Sequence, residues 1–166
     1  MSAEYRVELY VYDLTKGMAR AMSPALLGKQ IEGIWHTGIV VYGKEYFFGS
    51  MGIEWCPPCG TILGEPNKRE FMGETQIPEE VFEEYINGLR ESVYAGGSYD
   101  LLKHNCNNFS NEVSQFLCGH EIPDYITKLP DEVLSTPLGQ ALAPMLASMS
   151  VTAMDPMHAG RPHNNC

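Results

Sequence analysis

The stretch "HNCNNFSNEVSQFLCG", His104 to Gly119, decides how the chain is read. Phe109, Val113, Phe116 and Leu117 recur at helical spacing, so the segment predicts an amphipathic helix with an inward stripe. Asn105 is a strong N-cap residue and Gly119 suits a left-handed C-terminal stop. Cys106 then occupies the first helical position. A thiol there faces unpaired backbone N–H groups and the positive end of the helix dipole, and both favour the reactive thiolate. The plain alternative is that Cys106, three residues before Phe109, is a small buried apolar side chain on the same stripe. A nucleophilic thiol needs a base, and the base has to come from elsewhere in the chain.

Of the five histidines, His158 and His163 fall in a C-terminal stretch without sustained periodicity. His120 lies beyond the far end of the helix, more than about 15 Å from Cys106 at the rise of a regular helix. His104 is adjacent in sequence, but an extended approach to a helix commonly points such a residue away. His36 falls in "IWHTGIVVYGKEYFFGS", a hairpin with one strand over Trp35–Tyr42, a turn near Gly43-Lys44 and a return over Glu45–Gly49. Alternation sets His36 on one strand face with Gly38, Val40 and Tyr42, and Gly38 leaves room for a helix end to approach. A cysteine at a helix start and a histidine on a strand form the pair a thiol hydrolase uses. The imidazole takes the thiol proton and later delivers it to the leaving group. Without that partner, His36 reads as a hydrogen-bonded core histidine.

Around these segments, "RVELYVYDL" alternates Val7, Leu9 and Val11 against Glu8, Tyr10 and Tyr12, the pattern of a half-buried strand. Ser23-Pro24 begins a short helix that Gly28 limits. Residues 50–75 are rich in glycine and proline and predict short strands and turns. "PEEVFEEYINGLRESV" places Val81, Phe82, Tyr85, Ile86, Leu89 and Val93 on one helix face after Pro78. Glu79, Glu80, Glu83 and Glu84 read as its solvated side. "IPDYITKL" and "PDEVLSTPLGQALAPML" are short helices broken by prolines. Early strands and late helices define an α+β domain over 1–148, followed by a flexible tail over 149–166.

The 166 residues fit one domain, and the formal charge of −10 argues against a nucleic-acid or anionic-membrane surface. No apolar run reaches the length of a membrane span, and the N-terminus lacks the pattern of a secretory signal. The five cysteines are therefore expected as reduced thiols, in the cytoplasm or nucleus. "CPPCG", Cys56 to Gly60, offers a C-x-x-C pair without a second half to complete a zinc site. It reads as two loop thiols flanking a turn, with no assigned role. No G-x-S-x-G, phosphate-binding glycine loop or H-E-x-x-H is present, and neither a metal nor another cofactor is expected.

Together, "VYDL", "GIWHTGIVVYGKEYFFG" and "GGSYDLLKHNCNNFSNEVSQFLCGHEIPDYITKLP" resemble the PPPDE family of cysteine peptidases, over roughly Tyr5 to Leu146. The resemblance implies a permuted papain-like fold, a small antiparallel sheet or partial barrel packed against helices. In papain-like enzymes the cysteine helix precedes the histidine strand, and here the histidine comes first. The resemblance also implies Cys106 as nucleophile and His36 as base. The reaction it implies is removal of SUMO, or a related ubiquitin-like modifier, from lysines through an acyl-enzyme thioester. Asn105 and Asn107 would support the helix cap and the oxyanion donors, which are the first-turn N–H groups. Trp35 and Gly38 would border a narrow groove for a Gly-Gly tail. Asp13 or a backbone carbonyl could orient His36. A homodimer is further implied. The same chemistry would cleave S-acyl thioesters, and a silent adaptor that merely keeps the fold is the alternative outside the enzyme class.

Overall fold

The computed structural model describes residues 3–100 and 102–146. Five strands form one antiparallel sheet in the order β4-β3-β2-β1-β5. They are β1 (Tyr5–Asp13), β2 (Trp35–Val41), β3 (Lys44–Gly49), β4 (Gly52–Cys56) and β5 (Lys68–Thr75). The helices are α1 (Met18–Leu27), α2 (Glu79–Arg90), α3 (Cys106–Cys118), α4 (Asp124–Thr127), α5 (Leu129–Leu134) and α6 (Pro137–Leu146). The chain is thus an α+β protein, as its pattern predicts. The expected tail over 149–166 lies outside the described residues. Among the described residues, no helix is long and apolar enough to cross a membrane.

The predicted hairpin forms, with its turn one residue earlier than expected. Tyr42 and Gly43 both take positive φ, 54° and 71°, the geometry of a type I′ turn that matches the twist of two strands. Val7, Leu9 and Val11 turn to one sheet face and pack with Phe109, Val113 and Leu117 of α3. Tyr10 and Tyr12, expected on a wetter side, are buried as well, clustered with Cys59. The loop between β4 and β5 folds back over this second face and is pinned there at Asn67, which bonds the backbone of Val11 and Asp13. Both faces of β1 and β2 are therefore covered, and β1 is not half-buried.

At the edge, β5 pairs with β1 through a bulge between Val7 and Glu8. Gly73 sits in it with φ of 140°, and a Cβ on Gly73 would lie 3.2 Å from Cβ of Cys118. Only glycine lets the end of α3 come this close to the sheet.

The α1 helix starts earlier than the Ser23-Pro24 signal suggests, and Pro24 lies inside it. The hydroxyl of Ser23 is spent on the backbone of Ile31, and Gln30 Nε2 donates to the Arg20 carbonyl, which proline cannot bond. On α2, Phe82 and Ile86 are fully buried while Val81 is exposed, and Val93 lies exposed beyond the helix end, so the inward stripe is narrower and shorter than predicted. Its acidic side is only partly solvated, because Glu79 pairs with Lys44 at 2.9 Å and Glu83 accepts from the Tyr46 hydroxyl.

Candidate active site

The α3 helix begins on a reciprocal cap. Asn105 Oδ1 accepts from the backbone N–H of Asn107 and Asn108, at 2.9 and 3.2 Å. Asn108 Oδ1 in return accepts from the Asn105 N–H at 2.8 Å. Cys106 is thereby fixed at the first helical position, as its sequence context predicts. Along the rest of the helix Phe109, Val113 and Leu117 are buried, but Phe116 is 37% exposed and stacks on Tyr85 instead of entering the core.

Two tertiary contacts press the start of α3 onto β2. Asn107 Oδ1 accepts from the Thr37 hydroxyl at 2.7 Å, and its Nδ2 donates to the Trp35 carbonyl at 3.0 Å. The Thr37 hydroxyl also lies 2.9 Å from Ser110 Oγ. On the other side β2 pairs with β3 only over Ile39–Val41, so the sheet splays open before Ile39. The Thr37 amide, in the part of β2 that β3 leaves unpaired, faces the Cys106 sulfur.

The thiol is 1% exposed. Burial pushes its pKa up to about 11, although the Thr37 amide, the Tyr99 hydroxyl and the amides of Asn107 and Cys106 pull the other way. The expected thiolate is therefore not the resting form. Desolvation of a charge outweighs the first-turn N–H groups when the sulfur is cut off from water. The expected oxyanion donors are also fewer, because the Asn107 and Asn108 amides are occupied by Asn105. Asn105 acts as the cap and Asn107 as a strut between helix and strand.

His36 is the residue before Thr37, and its ring lies on the sheet face away from α3. It packs against Tyr12 and Phe47 with ring centroids 5.6 and 5.8 Å away. The ring is 1% exposed and its Nε2 has no hydrogen-bond partner. Burial alone lowers its pKa to about 3, so the imidazole is neutral. Cys106 thus meets the backbone amide of Thr37, the residue next to His36, and no hydrogen bond joins the thiol to the imidazole. The room beside Gly38 is filled by the Glu45 carboxyl, because a Cβ there would lie 2.9 Å from Glu45 Cγ. The α3 helix does not use that space. Glu45 is held by the Tyr12 hydroxyl at 2.8 Å and by the Cys59 N–H at 3.0 Å.

Trp35 borders a groove beside the start of α3, together with Ile34, Leu129 and Val133 on its apolar side and Asn105 and Asn107 on its polar side. Asp13 does not reach the histidine. Its carboxyl accepts from the N–H groups of Thr15, Gly17 and Ile34 and stays below its ordinary pKa, stapling the turn after β1. His104 stacks on Tyr94, with Nε2 2.7 Å from the Val93 carbonyl oxygen. His120 sits past the far end of α3. Cys56, Cys106 and Cys118 are free thiols, whereas Cys59 is disulfide-bonded, contrary to the expectation of five reduced cysteines. A covalent partner cannot be read from spacing along the chain.

The sequence reading missed Thr37, Glu45 and Tyr99. For Glu45 a signal existed in a carboxylate that pairs with Val40 of the hairpin, two residues from the interior strand glycine Gly38. Thr37 and Tyr99 carried none, since their contacts link distant segments.

A buried thiol at a helix start and a partnerless neutral imidazole one strand residue away are the elements of a cysteine-type hydrolase. The chain matches the family described as "PPPDE putative peptidase domain" over residues 5–147, and it belongs to that family. It is 57% identical over 159 residues to desumoylating isopeptidase 1 of Homo sapiens, covering 96% of this chain and 95% of the relative. Identity to desumoylating isopeptidase 1 of Xenopus laevis is 57% over 145 residues, covering 87% of this chain and 86% of that one. A DeSI-like protein of Schizosaccharomyces pombe, sdu1, is 29% identical over 131 residues, covering 75% and 63%.

Proposed function

We propose that this protein is a cysteine isopeptidase that removes SUMO from lysine side chains, with Cys106 as nucleophile and His36 as base. The name of its 57% identical relatives, desumoylating isopeptidase 1, supports the substrate. The observation that carries the residue assignment is that the Cys106 thiol meets the amide of Thr37, next to a buried His36 whose Nε2 has no partner. The order of histidine strand before cysteine helix supports a permuted papain arrangement.

The pair rests uncharged, as thiol and imidazole. Proton transfer from Cys106 to His36 is uphill in the closed site and becomes coupled to attack once a carbonyl carbon is held against the sulfur. The thiolate adds to the glycine carbonyl, the C–N bond breaks as His36 protonates the lysine amine, and a thioester remains. Water, deprotonated by the same imidazole, releases the modifier. The groove along Trp35 and Leu129 is where the extended tail approaches. We further propose a homodimer, supported by the exposed Met18, Met22 and Leu26 on α1.

The test is cleavage of a SUMO–lysine isopeptide by the wild-type chain and by Cys106→Ser and His36→Ala. Loss of cleavage in both is expected, with unchanged melting in Cys106→Ser and a lowered melting temperature in His36→Ala, whose ring is buried. Wild-type turnover in Cys106→Ser would remove this reading. Sedimentation at micromolar concentration showing only monomer would overturn the dimer.

A further inference from the structure

The loop before α3 brings one more side chain to the reacting sulfur. Asp100 and His104 form an antiparallel bridge, exchanging two backbone hydrogen bonds of 2.8 Å. In such a bridge the residues just outside it face each other, so Tyr99 lies against Asn105 and the start of α3. The Tyr99 ring is braced on Phe48, with centroids 5.3 Å apart, where β3 has parted from β2. Its hydroxyl faces the Cys106 sulfur, and the Cys106 N–H faces the hydroxyl oxygen.

Four other tyrosine hydroxyls in or at the core have structural acceptors. Tyr12 donates to Glu45, Tyr42 to the Ile77 carbonyl, Tyr46 to Glu83 and Tyr94 to Glu112. Tyr99 donates to no carboxylate or carbonyl among the described residues. Its hydroxyl, the Cys106 amide and the Thr37 amide are donors beside the sulfur that neither the cap nor the Asn107 strut consumes, and of these Tyr99 is the one on a side chain.

We propose that Tyr99 is a catalytic residue whose hydroxyl, together with the Cys106 amide, holds the carbonyl oxygen of the substrate as it takes on negative charge. The inference rests on Cys106 being the nucleophile. As the Sγ–C bond forms, the thiol proton passes to His36 and the carbonyl π pair moves onto oxygen. The Tyr99 hydroxyl donates a hydrogen bond to that oxygen and keeps its proton. When the C=O bond reforms, the C–N bond breaks and the amine takes the proton from His36. Burial and the neighbouring sulfur raise the Tyr99 pKa, which keeps the hydroxyl a donor throughout.

Tyr99→Phe retains the ring that packs on Phe48 and removes only the donor. With SUMO carrying a fluorogenic aminocoumarin amide at its C-terminal glycine, kcat should fall roughly 100-fold, the size of effect seen when an oxyanion donor is deleted. KM and melting temperature should hold. Iodoacetamide alkylation of Cys106 develops no oxyanion, and its rate should change less than about threefold. Unchanged kcat, or an equal fall in amide cleavage and alkylation, would overturn the role of Tyr99. Full activity in a parallel Cys106→Ser control would instead remove the nucleophile assignment, so the two failures are told apart.

Discussion

The Thr37 hydroxyl donates to Asn107 Oδ1 across 2.7 Å, joining the strand that carries His36 to the helix that carries Cys106. Both residues are buried, and Asn107 also bonds the Trp35 carbonyl. One amide therefore makes two of the bonds that set the relative position of the proposed dyad. Asn107→Leu, similar in volume, takes the Asn107 donor from the Trp35 carbonyl and leaves the Thr37 hydroxyl only Ser110 Oγ. We expect a loss of about 1–3 kcal/mol in urea unfolding, the cost of one orphaned buried group. Activity should fall further than stability alone explains. An unchanged unfolding midpoint would show that the strut contributes nothing.

Burial of Cys106 predicts slow alkylation at neutral pH. With its pKa pushed up to about 11, the folded thiol should react with iodoacetamide more slowly at pH 7 than the same residue in urea. The rate should climb with pH to the limit of the folded range. Peptide mass spectrometry of the alkylated chain reads each cysteine separately. A plateau below pH 8 for Cys106 would contradict the burial argument.

His36 makes the fold sensitive to acid. Its pKa is near 3 in the folded chain against 6.5 for the free side chain, so between those values the unfolded state binds a proton that the folded state refuses. Stability contributed by the neutral ring is present above pH 6.5 and drains away as pH falls toward 3, by up to about 1.4 kcal/mol per pH unit. Urea unfolding between pH 7 and 4 should show this slope in the wild type. His36→Gln should show a shallower one, and parallel slopes would refute the assignment.

Gly73 is expected to tolerate no side chain. At φ of 140° an L-residue is strained, and the added Cβ meets Cys118 at 3.2 Å. Gly73→Ala should cost about 2 kcal/mol, the scale of one strained backbone position. Calorimetry would show it as a lowered melting temperature, whereas Gly88→Ala, in open space on α2, should not destabilise the chain.

Local rules made much of this protein legible before any coordinates. The cap at Asn105, the stop at Gly119, the I′ hairpin and the α2 stripe each depend on residues a few positions apart, whose backbone chemistry acts within one or two turns. These were sufficient to set a cysteine at a helix start and a histidine on a strand. Where local rules ended, the reading slipped. Ser23 looked like a cap and instead serves Ile31, and Phe116 looked buried and instead stacks at the surface.

The state of the site belongs to the tertiary structure. Which face His36 occupies follows from the register Tyr12↔His36, and whether that face is wet follows from the loop that closes over it. A helix dipole is a local property and argues for a thiolate; desolvation is set by everything packed around the sulfur, and here it is the larger effect. Likewise, Tyr99 reaches Cys106 only because β3 parts from β2 and the Asp100–His104 bridge folds the loop back. Sequence determined which groups are available and on which elements they ride. Packing between distant segments decided which of them are neutral, which are already engaged, and which remain free to meet a substrate.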